Sequence, residues 1–192
     1  IPSIAMKEEL IVKKMIATTR MFGHNVSNVD DIKEAVETYA STAAEKLRRQ
    51  GRAASVISVF VVAKGEDHNT GFRGSTHSLY TTLPFATSAT NELIKPAVGL
   101  AERLFKKGTK YKKAGVMLSG LVPDEKIQGN LFVPEKHNAK RMLMSTLDNV
   151  NFAMRNDVVK FAASGTTRDW KMRMEYRSPR YTSRWEELFE VC

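Results

Sequence analysis

The chain has 192 residues, 42% of them hydrophobic and 27% charged, with a formal net charge of +9. This composition is typical of a globular protein and excludes an intrinsically disordered one. No apolar run approaches the ~18–20 residues that a membrane-spanning helix needs, and the single cysteine, Cys192, excludes an internal disulfide. With no apolar leader at the start, these features predict a cytoplasmic protein of one or two domains that does not contact a membrane.

The positive charge is concentrated in the first two thirds of the chain. Residues 1–122 carry 18 Lys and Arg against 11 Asp and Glu, whereas residues 123–192 carry 12 against 10. A basic excess favours a polyanionic partner because binding releases condensed counterions, and nucleic acid is the commonest such partner. We therefore expect a nucleic-acid-binding surface in the first region, with a merely soluble basic surface as the alternative.

After a tether at residues 1–12, the first strand is predicted at Lys13–Gly23 because its side chains alternate in character. We assign its partly basic side to solvent and its uncharged side to the core. The first set is Lys14, Ile16, Thr18, Arg20 and Phe22, and the second is Met15, Ala17, Thr19 and Met21.

Five further elements complete a predicted domain at residues 13–122. In chain order they are the helix Asn28–Gln50, the strands Arg52–Lys64 and Ser75–Leu83, the helix Ser88–Lys107 and the strand Tyr111–Leu121. Asn28 or Asp30 can cap the first helix and Gly51 can end it. Pro96 should kink the second helix or delay its start to about Asn91.

The order strand-helix-strand-strand-helix-strand predicts an α+β fold of the split βαβ type. Such a fold has a four-stranded antiparallel sheet with two helices on one face, which leaves the other face free to bind. Cations and hydroxyls near the expected free face suit contacts to phosphates, which carry no sequence information. The candidate DNA-binding residues are Lys14, Thr18, Arg20, Arg73, Ser75, His77, Lys112 and Lys113.

Beyond a connector at residues 123–135, the composition predicts a small α+β region at residues 136–192. Its expected elements are the helix Asn138–Arg155, the strands Asp157–Ala163 and Trp170–Tyr176, and a short helix after Ser183. The last helix is predicted because Ser183 and Glu186 have the spacing of a capping box.

The residue patterns of known catalytic centres are missing. The four histidines, at 24, 68, 77 and 137, stand apart, and there is no CxxC, HExxH or phosphate-binding glycine loop. The acids fall in predicted helices, caps and the connector, whereas two-metal catalysis needs them on strand ends. We therefore expect no catalytic centre, metal or cofactor in this chain; a cleft that gathers acids or histidines would favour an enzyme instead.

The connector contains a short peptide, Gln128–Phe132 ("QGNLF"), that ends in two apolar residues. A glutamine followed by Leu131 and Phe132 could fill a pocket on a partner protein while the connector orders around it. Alternatively, these two side chains cover the core of residues 136–192, which we call the second region.

Several segments together resemble the C-terminal part of the UmuC-type Y-family translesion DNA polymerases of the bacterial SOS response. They are "TTRMFG", "AAEKLRRQG", "YKKAGVMLSGLV", "NLF" and "SPRYTSRWEEL". The resemblance implies that residues 13–122 are a little finger domain that binds primer-template duplex, and that residues 136–192 are the UmuC-type extension. It also implies that the catalytic palm, with its magnesium ions, would precede Ile1.

The same resemblance implies three protein partners. A Gln-Leu-x-Leu-Phe-type motif in this place binds the sliding clamp in the family, and Gln128, Leu131 and Phe132 match it, with Gly129 in place of the usual leucine. The processed UmuD dimer or the recombinase filament would bind the second region. The alternative is an RNA- or DNA-binding module unrelated to a polymerase, which would stack bases on strand aromatics; Phe22 and Phe60 are the nearest candidates.

Overall fold

The computed structural model describes residues 13–65, 74–127, 137–154, 158–165, 168–172 and 176–188. These residues form four strands, three α-helices and three short 3-10 turns. The strands are β1 (Met15–Val26), β2 (Arg52–Ala63), β3 (Thr76–Thr87) and β4 (Tyr111–Pro123). The helices are α1 (Val29–Arg49), α2 (Thr90–Leu104) and α3 (His137–Ala153), and the 3-10 turns are Asp124–Lys126, Ala162–Ser164 and Trp185–Glu187.

The four strands form one sheet in the order β1-β4-β2-β3, with every neighbouring pair antiparallel. The strands of each βαβ unit are therefore parallel and separated by one strand of the other unit. This is the split βαβ arrangement, and the predicted α+β fold is confirmed.

Both α1 and α2 pack on one face of the sheet. Alternate residues of the central strands are buried there, including Ile57 and Val59 of β2 and Val116 and Leu118 of β4. α1 begins as predicted, because the Asn28 side chain accepts a hydrogen bond from the backbone N–H of Asp30. The core of this domain therefore lies between the sheet and the two helices.

The end of α1 and the start of α2 follow from local chemistry. Gly51 has a φ of 59° immediately after the C-cap of α1, a conformation that glycine adopts without strain. α2 begins at Thr90, close to the expected start, and continues through Pro96. The Thr87 hydroxyl accepts a hydrogen bond from the backbone N–H of Ala89, the N-cap residue of α2.

The predicted orientation of β1 is wrong. Ile16, Thr18 and Phe22 are buried against the helices, whereas Met15 and Met21 are 55% and 38% exposed on the other face. Isoleucine and phenylalanine bury far more apolar area than Ala17 and Thr19 on the opposite side. The strand therefore turns its larger apolar side chains inward, although that side also carries charge.

In the second region, α3 is confirmed, and a short helix after Ser183 is present as the 3-10 helix Trp185–Glu187, whereas neither predicted strand is found among the described residues. Described residues 158–165 form no strand, and Ala162–Ser164 is a 3-10 turn. Trp170 lies in a turn, and the adjacent Lys171 forms a single β-bridge with Phe22. The 3-10 turn Trp185–Glu187 has Arg184 as its N-cap and no side-chain capping bond, so the predicted capping box is also wrong.

The packing of Trp170 explains why described residues 168–172 form no strand. Its indole is 4% exposed and packs edge-on against Phe22 and Tyr39, with ring centroids 6.2 and 5.8 Å apart. The backbone N–H of Gly23 donates to the Trp170 carbonyl at 2.9 Å. The second region is thus anchored through one aromatic residue in the core of the first. Among the described residues, no helix has both the length and the apolar character needed to span a membrane.

Candidate nucleic-acid interface

The sheet face opposite α1 and α2 is built from four rows of side chains. Across β1, β4, β2 and β3, the rows are Met15–Ser119–Val56–Thr82, Ala17–Met117–Ser58–Tyr80, Thr19–Gly115–Phe60–Ser78 and Met21–Lys113–Val62–Thr76. We call these residues the open face. With ~4.8 Å between strands and ~3.3 Å per residue, the rows cover roughly 14 by 20 Å.

The centre of the open face is apolar and hydroxyl-bearing. Lys113 is the only charged residue in the four rows. Tyr80 is 75% exposed, and Met15 and Met21 add further exposed apolar surface. Several exposed apolar side chains on one face of a sheet favour an interaction site there.

Phe60 lies over Gly115 at the middle of the face. A Cβ atom on Gly115 would fall 2.5 Å from Phe60 Cζ and 2.8 Å from Thr19 Cβ. The glycine therefore creates the space in which the ring crosses from β2 over β4 toward β1. The Phe60 side chain is half-buried, while Tyr80 on β3 stands free above the sheet.

Lysines lie at both ends of the rows. Lys13 and Lys14 are exposed just before β1, roughly 23 Å along the strand from the row of Lys113. At the Lys113 end, the exposed Lys64 and Lys110 are held together because the Lys64 N–H donates to the Lys110 carbonyl at 2.7 Å. The open face thus has an uncharged centre between two cationic ends.

Three candidate residues lie on the helix side of the sheet instead of the expected free face. Thr18 is 6% exposed and accepts a hydrogen bond from Lys46 of α1 at 3.4 Å. His77 is half-buried opposite Val61, whose side chain is in the core. These positions correct the predicted face, because burial fixed the orientation of each strand.

Arg20 is the third of these residues. It is exposed but is paired with the fully buried Ala114, so it projects on the helix side at the sheet edge. Burial raises the pKa of the Tyr39 hydroxyl to about 12, and the positive charge of Arg20 opposes that rise. Arg20 therefore acts electrostatically on α1.

Of the remaining described candidates, two are at the open face, and two lie just before strands at positions that fall on the helix side by alternation. Lys14 and Ser75 are exposed next to β1 and β3, Lys113 is in the rows, and Lys112 is half-exposed at a bulge beside it. The candidates Arg73, Gln128, Leu131 and Phe132 lie outside the described residues. Their predicted roles stay predictions.

Tyr80 and Met117 are open-face residues that sequence reasoning did not name, and Phe60 was named only as a base-stacking candidate of the alternative module. Two alternations in the sequence could have placed Phe60 and Tyr80 on this face. Val59, Val61 and Ala63 are the inward set of β2, which leaves Phe60 outward, and Leu79 and Leu83 are the inward set of β3, which leaves Tyr80 outward. In the described ranges, no three His, Cys, Asp or Glu side chains are grouped closely enough to hold a metal ion.

Two family models match the chain. The impB/mucB/samB family C-terminal domain matches residues 13–131, which include the whole sheet, α1 and α2. A model described as a domain of unknown function matches residues 141–191, where α3 continues and Trp170 lies.

Curated relatives align with almost the full chain. Protein UmuC of Salmonella typhimurium is 33% identical over 193 residues, covering 99% of this chain and 45% of the relative. Protein SamB of Salmonella typhimurium is 32% identical over 186 residues, covering 96% of this chain and 43% of the relative. The chain thus spans less than half the length of these relatives.

Solved structures give weaker matches. A Y-family DNA polymerase chimera of Dbh and Dpo4 has a TM-score of 0.48 at 16% identity, covering 62% of this chain and 32% of that one. DinB from Sulfolobus solfataricus has a TM-score of 0.42 at 14% identity, covering 57% and 29%. On the family match and the 33% identity to UmuC, this chain belongs to the impB/mucB/samB family and includes its C-terminal domain.

Proposed function

We propose that this chain is the part of an error-prone translesion DNA polymerase that holds DNA and docks on partner proteins. Catalysis would belong to the palm domain of the complete polymerase, together with its metal ions. The observation that supports this proposal best is the open face, an exposed and partly apolar sheet surface between lysines, in the domain that defines the family. The relationship to UmuC along 99% of the chain supports the polymerase assignment.

The charge distribution suits a grip on duplex DNA that allows movement. Lysines at the two ends of the face would contact phosphates, and the exposed hydroxyls of Ser75, Thr76 and Ser78 would add hydrogen bonds to the backbone. The uncharged centre forms no ion pair with the duplex. Binding of this kind should be independent of sequence, as a translocating polymerase requires.

Salt-dependent binding to a primer-template duplex tests this proposal. The logarithm of the binding constant should fall linearly with the logarithm of salt concentration, with a slope of about −0.9 for each phosphate neutralised. The double substitution Lys14→Ala and Lys113→Ala should reduce that slope by about 2 and weaken binding equally for different sequences. Salt-independent binding, or none at low salt, would refute the proposal.

Lys95 and Arg103 provide the matched control. Both are exposed on α2, on the opposite side of the sheet, and their replacement removes the same two charges. The control Lys95→Ala and Arg103→Ala should therefore leave the salt slope almost unchanged. If both double variants reduced the salt slope equally, the effect would come from the net charge of the protein and not from the open face.

We also propose that the peptide containing Gln128, Leu131 and Phe132 recruits the sliding clamp. Replacing Leu131 and Phe132 with alanine removes the apolar side chains that would fill the clamp's pocket. This variant should lose clamp capture in a pull-down and keep its DNA affinity. Replacement of the usual leucine by Gly129 removes one apolar contact, so Gly129→Leu should strengthen capture. Unchanged capture in the double-alanine variant would overturn the clamp role.

The second region is proposed to bind another protein, either the processed UmuD dimer or the recombinase filament. α3 supports this assignment because Met142, Leu143 and Phe152 are between 62% and 75% exposed on it. Substituting these three residues with serine should abolish capture of one of those partners and leave duplex binding intact. If the variant still captured both partners, this surface of α3 would not be their binding site.

A further inference from the structure

The aromatic residues of the open face indicate a second class of nucleic-acid ligand. We propose that Phe60 and Tyr80 stack on unpaired bases, so that the open face holds a single-stranded segment as well as duplex. This inference rests on the proposed DNA-binding role of the same face. It assigns the bases to the uncharged centre and the phosphates to the periphery.

The register makes Phe60 and Tyr80 diagonal neighbours on the open face. Phe60 is opposite Ser78, and Tyr80 is two residues farther along β3 on the same face. Such diagonal neighbours lie about 7–8 Å apart at their backbones, and aromatic side chains reach across that distance. Because the Phe60 ring extends over Gly115 of β4, away from β3, bases from two separate nucleotides of one strand would occupy the two rings.

The surroundings of Tyr80 favour unpaired bases over duplex. Its ring is 75% exposed, and the neighbouring positions across the strands are the small Ser58 and, beyond it, Met117. The faces of bases in a duplex are hidden by stacking, whereas those of a single strand are available to aromatic rings. Lys113 is in the row next to Phe60, where it can meet the phosphates of a stacked strand.

Phe60 is positioned for the same role by Gly115. Because no side chain projects from Gly115, the Phe60 ring can lie low over the sheet and form a platform. The hydroxyls of Thr76, Ser78 and Thr82 lie along β3 on the same face and are exposed. They can donate to phosphates, so stacking and backbone contacts would come from the same two strands.

The test uses a 12-nucleotide deoxythymidine oligonucleotide and a blunt duplex of equal length, measured on the same protein. Tyr80→Ala should weaken single-strand binding by roughly 5- to 150-fold, the range for loss of one stacked base. Duplex binding should fall less than single-strand binding, because the faces of paired bases are hidden by stacking. Tyr80→Phe should bind the oligonucleotide like the unmodified protein, because it keeps the ring and removes only the hydroxyl.

A cross-linking experiment reads out stacking directly. With one thymine replaced by 5-iodouracil, irradiation should attach the oligonucleotide to Tyr80 or Phe60, which peptide mass spectrometry identifies. Cross-links confined to other residues would overturn the proposal, as would equal binding by Tyr80→Ala. If Tyr80→Phe lost as much single-strand affinity as Tyr80→Ala, the hydroxyl and not the ring would make the contact, which would also overturn the stacking proposal.

The outcomes separate this inference from the proposed function. Normal duplex binding with an unaffected single-strand affinity in Tyr80→Ala would refute stacking and leave the duplex role intact. Failure to bind either DNA at low salt would refute both. Self-association of the unmodified protein that Tyr80→Ala abolishes, with unchanged DNA affinities, would identify the patch as a protein interface and overturn the stacking proposal.

Discussion

Arg48 of α1 and Asp148 of α3 form an ion pair with two parallel hydrogen bonds. Arg48 Nε donates to Asp148 Oδ2 at 2.6 Å, and Nη2 donates to Oδ1 at 2.7 Å. The Nη1 atom of the same guanidinium donates to the Ser88 carbonyl at 2.7 Å and to the Thr90 hydroxyl at 2.8 Å. Arg48 thus joins the second region to α1 and to the start of α2.

Asp148→Ala should lower the free energy of unfolding by about 2 kcal/mol. Breaking a fully buried pair costs about 3–5 kcal/mol. Here the Asp148 side chain is 22% exposed, and Arg48 keeps two other hydrogen-bond acceptors. We therefore expect a smaller loss of stability than for a fully buried pair. Urea unfolding at an unchanged m-value is the measurement. Arg49→Ala is the control. The Arg49 side chain is 61% exposed and pairs with Glu45, so its removal should lower the free energy of unfolding by under ~1 kcal/mol.

Trp170→Ala should destabilise the whole chain by about 3–5 kcal/mol, the usual cost of removing a buried aromatic side chain. The indole packs against Phe22 of β1 and Tyr39 of α1, so its loss opens the core of the first region. Trp185 is 88% exposed, so the matched control Trp185→Ala should leave the free energy of unfolding nearly unchanged. Similar midpoints for the two variants in urea unfolding would contradict the anchoring role of Trp170.

The fold of the first region was predictable because its signals are local. Asn28 and Gly51 bound α1 through capping and a positive φ, and neither depends on distant residues. The order of the elements then leaves few topologies. In β1, by contrast, charge and apolar volume indicated opposite faces, and the energy of burying Ile16 and Phe22 decided the outcome.

The second region was less predictable because its contacts are long-range. The alternation after Trp170 is typical of a strand, but the residue's partners are Phe22 and Tyr39, far away in the sequence. No local pattern specifies that docking. Similarly, the platform of Phe60 depends on Gly115 in a strand that pairs with β2 only in the folded sheet.

Two glycines should respond in opposite ways to alanine. A Cβ on Gly99, inside α2, would meet no atom within 4 Å, so Gly99→Ala should stabilise the protein by up to about 1 kcal/mol. A Cβ on Gly23 would lie 2.5 Å from the Lys171 carbonyl oxygen, so Gly23→Ala should displace the segment that carries Trp170. Thermal unfolding of both variants measures this contrast. Stabilisation by Gly23→Ala would contradict the close packing at the edge of β1.

Glu37 should make stability fall as pH rises. Its side chain is 7% exposed, and Oε2 has no hydrogen-bond partner. Burial, helped by the nearby charge of Glu34 and opposed by Lys33, raises the pKa of Glu37 from 4.5 to about 7. Between these two values the folded protein keeps a proton that the unfolded chain releases. The stabilisation is therefore complete below pH 4.5 and is lost as pH increases through 7.

Glu37→Gln removes this dependence because an amide does not ionise. The variant and the unmodified protein should have similar stability at pH 5, and the variant should be more stable at pH 8 by up to ~3 kcal/mol. Urea unfolding at the two pH values measures the difference. Glu125→Gln, at an exposed position, is the control and should shift stability equally at both. A pH-independent offset in Glu37→Gln would show that the carboxylate is already ionised at pH 5 in the folded protein.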